Sequence, residues 1–141
     1  MTEFADLTHC NYFPVECEAL LAVGWLSAGT QYGADDSDPA FFTKLLELAA
    51  SPWQPVASTG LHECELCQFQ PKTGTATIFV PYQGNIYVAP ELIVHYIAAH
   101  RYKPPQVFVD AVIACPEMNS MAYKKAILFN GGRPLVSNRS V

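Results

Sequence analysis

The chain has 141 residues, the length of one ordinary domain, and half of them are hydrophobic, which excludes a disordered type of chain. Its formal net charge is −5 and its 8 lysine and arginine residues do not cluster, so it lacks the basic stripe of a nucleic-acid-binding module. Only 15% of the residues are charged, which indicates either a dense core or an apolar surface covered by a partner or a second copy.

The N-terminal segment and the cysteine content indicate the compartment. Residues 1–14 contain no basic start followed by an apolar run, so we expect no signal peptide. No apolar stretch of the sequence approaches the length needed to cross a membrane. Five cysteines is an odd number, and without an export signal it indicates a reducing compartment in which thiols stay free or bind metal. We therefore predict a cytoplasmic protein without membrane contact.

The first half of the chain is predicted to be helical. A proline at the start of residues 14–29 fits the first turn of a helix through this segment. Asp38 followed by Pro39 predicts a second helix start, because the carboxylate can cap the first turn and proline has no N–H to leave unpaired there. This second helix runs over residues 40–50. The residues on its apolar stripe are Phe41, Leu45 and Leu48.

The second half of the chain predicts a hairpin and three helices. Residues 75–90 are rich in strand-forming residues and contain a Gly-Asn pair at the expected reversal. Helices are predicted over 91–102, over 106–115 and over 120–132, each bounded by proline or glycine. The predicted fold class is α+β, a mostly helical single domain over residues 1–141 with a small antiparallel β-hairpin and a zinc knuckle.

The segment from about 60 to 105 carries the residue types that zinc prefers. Zinc is bound tetrahedrally by thiolate sulfur and imidazole nitrogen. Cys64 and Cys67 are separated by two residues and can hold one ion from a single tight turn. His95 and His100 follow on the predicted helix. The order of the ligands is that of a C2H2 zinc finger with a longer spacer, and we predict one zinc ion per chain.

The spacing of the two later histidines leaves the fourth ligand open. Residues five positions apart lie about 140° apart around a regular helix, so both histidines can bind one ion only if the helix is distorted near its end. His62, two residues before Cys64, is the competing ligand. Cys64 and Cys67 rank first, then His100, and then His95 and His62 about equally.

Other interpretations of the cysteines are weaker. A redox Cys-x-x-Cys pair requires the first cysteine at a helix N-terminus, and residues 68–77 do not predict a helix. The deaminase, metalloprotease, P-loop and nucleophile-elbow motifs are absent from the sequence. His9 could form a second site with two nearby cysteines. The cysteines that we instead predict to be buried as small apolar residues are Cys10, Cys17 and Cys115.

Two runs, residues 60–67 and 89–105, carry a distinctive pattern. It reads Gly-x-His-x-Cys-x-x-Cys and then Ala-Pro-x-Leu-Ile-x-His-Tyr-Ile-x-x-His-x-Tyr-x-Pro-Pro. The matching residues are Gly60, His62, Cys64, Cys67, Ala89, Pro90, Leu92, Ile93, His95, Tyr96, Ile97, His100, Tyr102, Pro104 and Pro105. The pattern resembles a family of small bacterial proteins with no assigned function. The resemblance covers the middle third of the chain, and it implies a bacterial cytosolic origin but no activity.

Three classes of function remain open from the sequence. The favoured one is a zinc-stabilised module that binds another protein or itself, because more than four candidate ligands indicate a closed structural site. The alternative is a small zinc-dependent, hydrolase-like enzyme in which two cysteines and one histidine hold zinc and a water, with Glu63, Glu65 or the remaining histidine as base. Nucleic-acid binding through residues 91–102 is disfavoured because few positive charges lie there.

Overall fold

A computed structural model of the chain describes residues 4–13, 15–55 and 62–137. Within these residues the chain forms a three-stranded sheet, a two-stranded sheet and five helices, which confirms the predicted α+β class. Pro14 and Gly60, which belong to the sequence predictions, lie outside the described residues. In chain order the elements are β1 (Leu20–Ala22), α1 (Pro39–Ala50), β2 (His62–Glu63), β3 (Thr73–Gly74), β4 (Thr77–Tyr82), β5 (Asn85–Pro90), α2 (Ile93–His100), α3 (Gln106–Ala114), α4 (Met121–Phe129) and α5 (Arg133–Ser137).

The predicted hairpin forms the greater part of the central sheet. β4 and β5 pair antiparallel and are almost entirely buried. Gln83 and Gly84 join them, and both have positive φ values, 48° and 86°, as the twist of a two-residue hairpin turn requires. The strand order is β1-β5-β4. Pro81 therefore lies in an edge strand of this sheet, where a proline without an N–H does not interrupt hydrogen bonding to a strand on the other side.

The helix predicted over residues 14–29 is wrong. This segment instead contributes β1, which pairs parallel with β5, so the sheet is mixed. Residues 22–26 are fully buried, and a short apolar run buried on all sides has no periodicity to distinguish strand from helix. Trp25 fixes the segment to the sheet, because its Nε1 donates a hydrogen bond of 2.9 Å to the carbonyl of Val88.

The four longer helices lie where the sequence predicts them; α1 begins one residue earlier than predicted, and α2, α3 and α4 are shorter than predicted. α1 begins as expected, because Asp38 accepts a hydrogen bond of 3.1 Å from the N–H of Ala40, and it buries the predicted stripe. α3 packs against α1 through an edge-to-face contact of Phe41 and Phe108. α4 packs on β4, where Tyr123 donates to the carbonyl of Phe79. No helix formed by the described residues is both long and apolar enough to cross a membrane.

Candidate metal centre

The two cysteines lie in a small hairpin, residues 62–74, which we call the knuckle hairpin. Its strands are β2 and β3, paired antiparallel. The N–H of Cys64 donates to the carbonyl of Lys72 at 2.8 Å, which extends the pairing by one bond. The chain then turns and presents Cys67 on the same side. Cys64 is 1% exposed, whereas Cys67 is half-buried, so the sulfurs face the protein rather than open solvent.

Helix α2 brings both histidines to these sulfurs because it ends at His100. Arg101 has a left-handed conformation with φ 55° and ψ 27°, and the N–H of Tyr102 donates back to the carbonyl of Tyr96 at 3.1 Å, so the helix ends here. Tyr32 donates a further hydrogen bond of 3.2 Å to the carbonyl of His100. With no turn following it, the ring of His100 can lean toward that of His95, and the ring centroids are 5.0 Å apart.

The four side chains converge as the ligands of one ion would. One ligand atom from each of Cys64, Cys67, His95 and His100 lies within 4.8 Å of the other three. The Cys64 Sγ to His100 Nε2 distance is 3.4 Å. The Cys67 Sγ lies 3.1 Å from His95 Nε2 and 3.6 Å from His100 Nε2. A tetrahedral zinc ion with bonds of about 2.3 Å to sulfur and about 2.0–2.1 Å to nitrogen separates such atoms by about 3.6 Å.

The surroundings of Cys64 and His95 favour the neutral forms of these two side chains when no cation is bound. Burial raises the pKa of the Cys64 thiol. Burial, and next the charge of His100, lowers the pKa of His95, which leaves its imidazole neutral with a free lone pair. A thiol must lose its proton to bind a metal. A divalent cation among these four atoms would therefore stabilise the Cys64 thiolate, which burial alone disfavours.

His62 does not join the cluster. Its Nε2 lies 3.3 Å from the hydroxyl of Tyr12, and its ring meets that of Trp25 edge-on at 5.4 Å. The side chain is 4% exposed, and burial lowers the pKa of its imidazole. His62 thus packs the knuckle hairpin onto the aromatic core. Of the five candidate ligands, the structure brings together the other four.

The remaining cysteines and histidine are also held apart from the cluster. The prediction that three cysteines are buried is confirmed. The Nε2 of His9 contacts the carbonyl of Cys17 at 3.1 Å, and the Sγ of Cys17 donates to the carbonyl of Gly131. Among the described residues, only the four residues of the cluster lie close enough together to hold a metal ion. Burial raises the pKa of Cys10 to about 11 and that of Cys115 to about 12.

The two glutamates beside the cysteines differ in their surroundings. Glu65 Oε1 accepts a hydrogen bond of 3.1 Å from the N–H of Ala28, in the loop after β1. This bond fixes the knuckle turn to the body of the domain. Glu63 lies on the exposed face of β2. Both side chains thus lie on the knuckle hairpin with structural or solvent contacts.

Glu91 is a structural residue that the sequence did not reveal. Its Oε1 accepts hydrogen bonds from the N–H groups of Thr75, at 2.5 Å, and Ala76, at 3.1 Å. The carboxylate thereby ties the end of the knuckle hairpin to the residues preceding α2. The sequence shows only an acidic residue before a helix, and its partners lie 15 and 16 residues away in the chain.

Glu91→Ala is expected to lower the free energy of unfolding by about 1.5–3 kcal/mol, because two N–H groups lose a charged acceptor. Thermal unfolding in the presence of saturating zinc measures the loss. Glu91→Gln keeps one oxygen acceptor and should retain the larger part of the stability. Equal melting temperatures for the alanine variant and the wild-type protein would contradict this role.

Comparison with known proteins gives a family but no described function. The family model described as Domain of unknown function (DUF7919) matches residues 2–113. The match includes all four residues of the cluster and extends back to residue 2, well beyond the middle third that the sequence pattern covers. α4 and α5 lie outside it. No curated protein and no solved structure matches the chain.

Proposed function

Because the chain belongs to this family of domains of unknown function, we propose its role from the geometry of the metal centre. Cys64, Cys67, His95 and His100 bind one zinc ion, which joins the knuckle hairpin to α2. The observation that carries this proposal is the convergence of two sulfurs and two nitrogens within 4.8 Å. Thiolate and imidazole ligands in a tetrahedral arrangement are those typical of zinc.

The proposed zinc site is structural rather than catalytic. A catalytic zinc has three protein ligands and a water in the fourth position, whereas four protein side chains are available here. Catalysis would require one of them to leave the ion. Glu65 supports the structural role, since its carboxylate accepts a backbone hydrogen bond from Ala28.

We further propose that the domain acts in the bacterial cytoplasm by binding protein. None of the five cysteines, all of which lie among the described residues, forms a disulfide, which suits a reducing compartment. Large apolar side chains are exposed on the knuckle hairpin and on α4, with Phe69 at 85% and Phe129 at 87%. Aromatic side chains of this kind are frequent anchors of protein interfaces. The acidic net charge of −5 opposes nucleic-acid binding.

Metal analysis and X-ray absorption test the proposal. We expect one zinc ion per chain, with two sulfur ligands at about 2.3 Å and two nitrogen ligands at about 2.0–2.1 Å. His95→Asn should lower the zinc affinity, whereas His62→Asn should keep one zinc per chain because His62 lies outside the cluster. An oxygen ligand in place of one nitrogen or sulfur would favour the enzymatic alternative, and the absence of bound metal would refute both.

A further inference from the structure

The two sulfurs of the candidate metal centre belong to one element and the two nitrogens to another. Cys64 and Cys67 lie in the knuckle hairpin, whereas His95 and His100 lie on α2. A bond between the two sulfurs would therefore remove every sulfur ligand from the ion and leave only the two imidazoles. The link between the knuckle hairpin and α2 thus depends on the oxidation state of one pair of thiols.

The turn that carries the cysteines can close a disulfide by itself. The Sγ atoms of Cys64 and Cys67 lie within 4.8 Å of each other, and a disulfide brings two sulfurs to about 2.0 Å. The two residues flank a turn rather than lie within a paired strand. A rotation of the Cys67 side chain and a small shift of this turn would bring the sulfurs together, and no residue of α2 takes part in the bond.

Cys67 is the cysteine that solvent reaches most readily. It is partly exposed, whereas the other four cysteines are buried. Burial raises the pKa of Cys10 to about 11 and that of Cys115 to about 12, so these two stay protonated and react slowly. Bound zinc would instead hold Cys67 as a thiolate, the form that oxidants attack. The metal here takes the place of the helix N-terminus that activates the first cysteine of a catalytic redox pair.

We propose that the metal centre is a peroxide-sensitive switch, an inference that rests on the proposed zinc site. The Cys67 thiolate attacks one oxygen of hydrogen peroxide, the O–O bond breaks, and Cys67 becomes a sulfenic acid as hydroxide leaves. The Cys64 thiolate then attacks the Cys67 sulfur, which forms the disulfide and displaces a second hydroxide. Two protons from solvent convert both hydroxides to water. The two sulfurs are oxidised, the peroxide is reduced, and Zn²⁺ leaves the site.

The oxidised knuckle hairpin keeps attachments that contain no sulfur. The carboxylate of Glu91 accepts hydrogen bonds from Thr75 and Ala76 at the end of the hairpin, and that of Glu65 accepts one from Ala28. Oxidation therefore separates the turn from α2 while these contacts hold the hairpin near the rest of the domain. The separation should be reversed when a thiol reductant and zinc are returned.

Zinc release from the reduced, zinc-loaded full chain tests the inference. Zinc content is measured first, and hydrogen peroxide is then added in excess with a colorimetric zinc indicator present. We expect one zinc to be released per chain. The tryptic peptide of residues 45–72 contains Cys64 and Cys67 and no other cysteine, and it should become lighter by two hydrogens. The melting temperature should fall as far as chelation lowers it, and dithiothreitol with zinc should restore it.

Two variants assign the effect to this pair. Cys115→Ser is the matched control, because it removes a buried cysteine outside the cluster, and it should release zinc at the wild-type rate. Cys67→His keeps a zinc ligand at its position but cannot form the disulfide, so it should hold its zinc in peroxide.

The outcomes separate this inference from the zinc proposal. Wild-type protein that keeps its zinc in excess peroxide overturns the switch and leaves the zinc site intact. Release of zinc without the disulfide in peptide 45–72, or with oxidation of Cys10, Cys17 or Cys115 in its place, also overturns the switch. Protein that contains no zinc before peroxide is added refutes the zinc site itself, and the switch with it.

Discussion

Cys64→Ser is expected to lower the free energy of unfolding by about 5 kcal/mol or more. A structural zinc site contributes roughly 10–16 kcal/mol of binding free energy that is linked to folding, and loss of one thiolate removes most of it. The free energy of unfolding of a native domain is about 5–15 kcal/mol in total, so the variant should melt at least about 10 °C lower than the wild-type protein. Chelation of the wild-type protein should have the same effect, because both changes release α2 from the knuckle hairpin.

Cys115→Ser is the matched control for this experiment. Cys115 is 2% exposed and Cys64 is 1% exposed, so both variants place a hydroxyl in a buried position. Only the Cys64 variant removes a proposed ligand. The control should keep one zinc per chain and should still lose stability when a chelator is added, whereas Cys64→Ser should be insensitive to the chelator. A wild-type protein whose melting temperature does not respond to metal removal would refute a structural zinc.

Gly24→Ala is expected to lower the free energy of unfolding by about 2–5 kcal/mol. Gly24 has φ +78°, a conformation that is strained for residues with a side chain. An added Cβ would lie 2.8 Å from Cδ1 and 2.9 Å from Cγ1 of Ile93, a contact that the buried core cannot relieve without movement. Ile93 is the first residue of α2, so the methyl group would also displace the helix that carries both histidines. Zinc affinity should therefore fall together with the melting temperature.

Substitutions at two further glycines separate the effect of backbone strain from the effect of the contact with Ile93. Gly84 has φ +86° and no atom within 4 Å of an added Cβ, so Gly84→Ala should cost only the backbone strain, about 1–2 kcal/mol. Gly33 has neither a positive φ nor a close neighbour, and Gly33→Ala should change stability by less than about 0.5 kcal/mol. Chemical denaturation of the three variants measures the differences. If Gly24→Ala and Gly84→Ala lower the free energy of unfolding by the same amount, the contact with Ile93 does not contribute to the loss of stability.

The candidate site could be predicted largely from the sequence because its chemistry is local. The spacing of Cys64 and Cys67 and the concentration of histidines are visible without a structure. The choice between His62 and His95 as the fourth ligand could not be predicted from the sequence, because it depends on how α2 ends. The left-handed Arg101 and the hydrogen bond from Tyr32 determine that end, and neither follows from the helical periodicity of the segment.

The parts of the fold that the sequence misassigned depend on distant contacts. Residues 40–50 have both an apolar stripe and a capping aspartate, so α1 was predictable from its own residues. The sequence of β1 has no apolar-polar alternation, since Leu20, Leu21 and Ala22 are all apolar. It is a strand because β5 offers it a parallel partner. The two roles of Glu91 as an acceptor likewise depend on a chain reversal that no local signal predicts.

The position of β5 in the sheet makes the metal centre inseparable from the rest of the domain. The loop between the cysteines and the histidines contains β4 and β5, and β5 lies between β4 and β1. A peptide cut out from residue 62 to residue 103 would keep all four ligands but expose the edge of β5 that β1 normally pairs, and such bare edges favour aggregation. Unlike a zinc finger that can be transplanted between proteins, this candidate metal centre depends on strand pairing with the rest of its own chain.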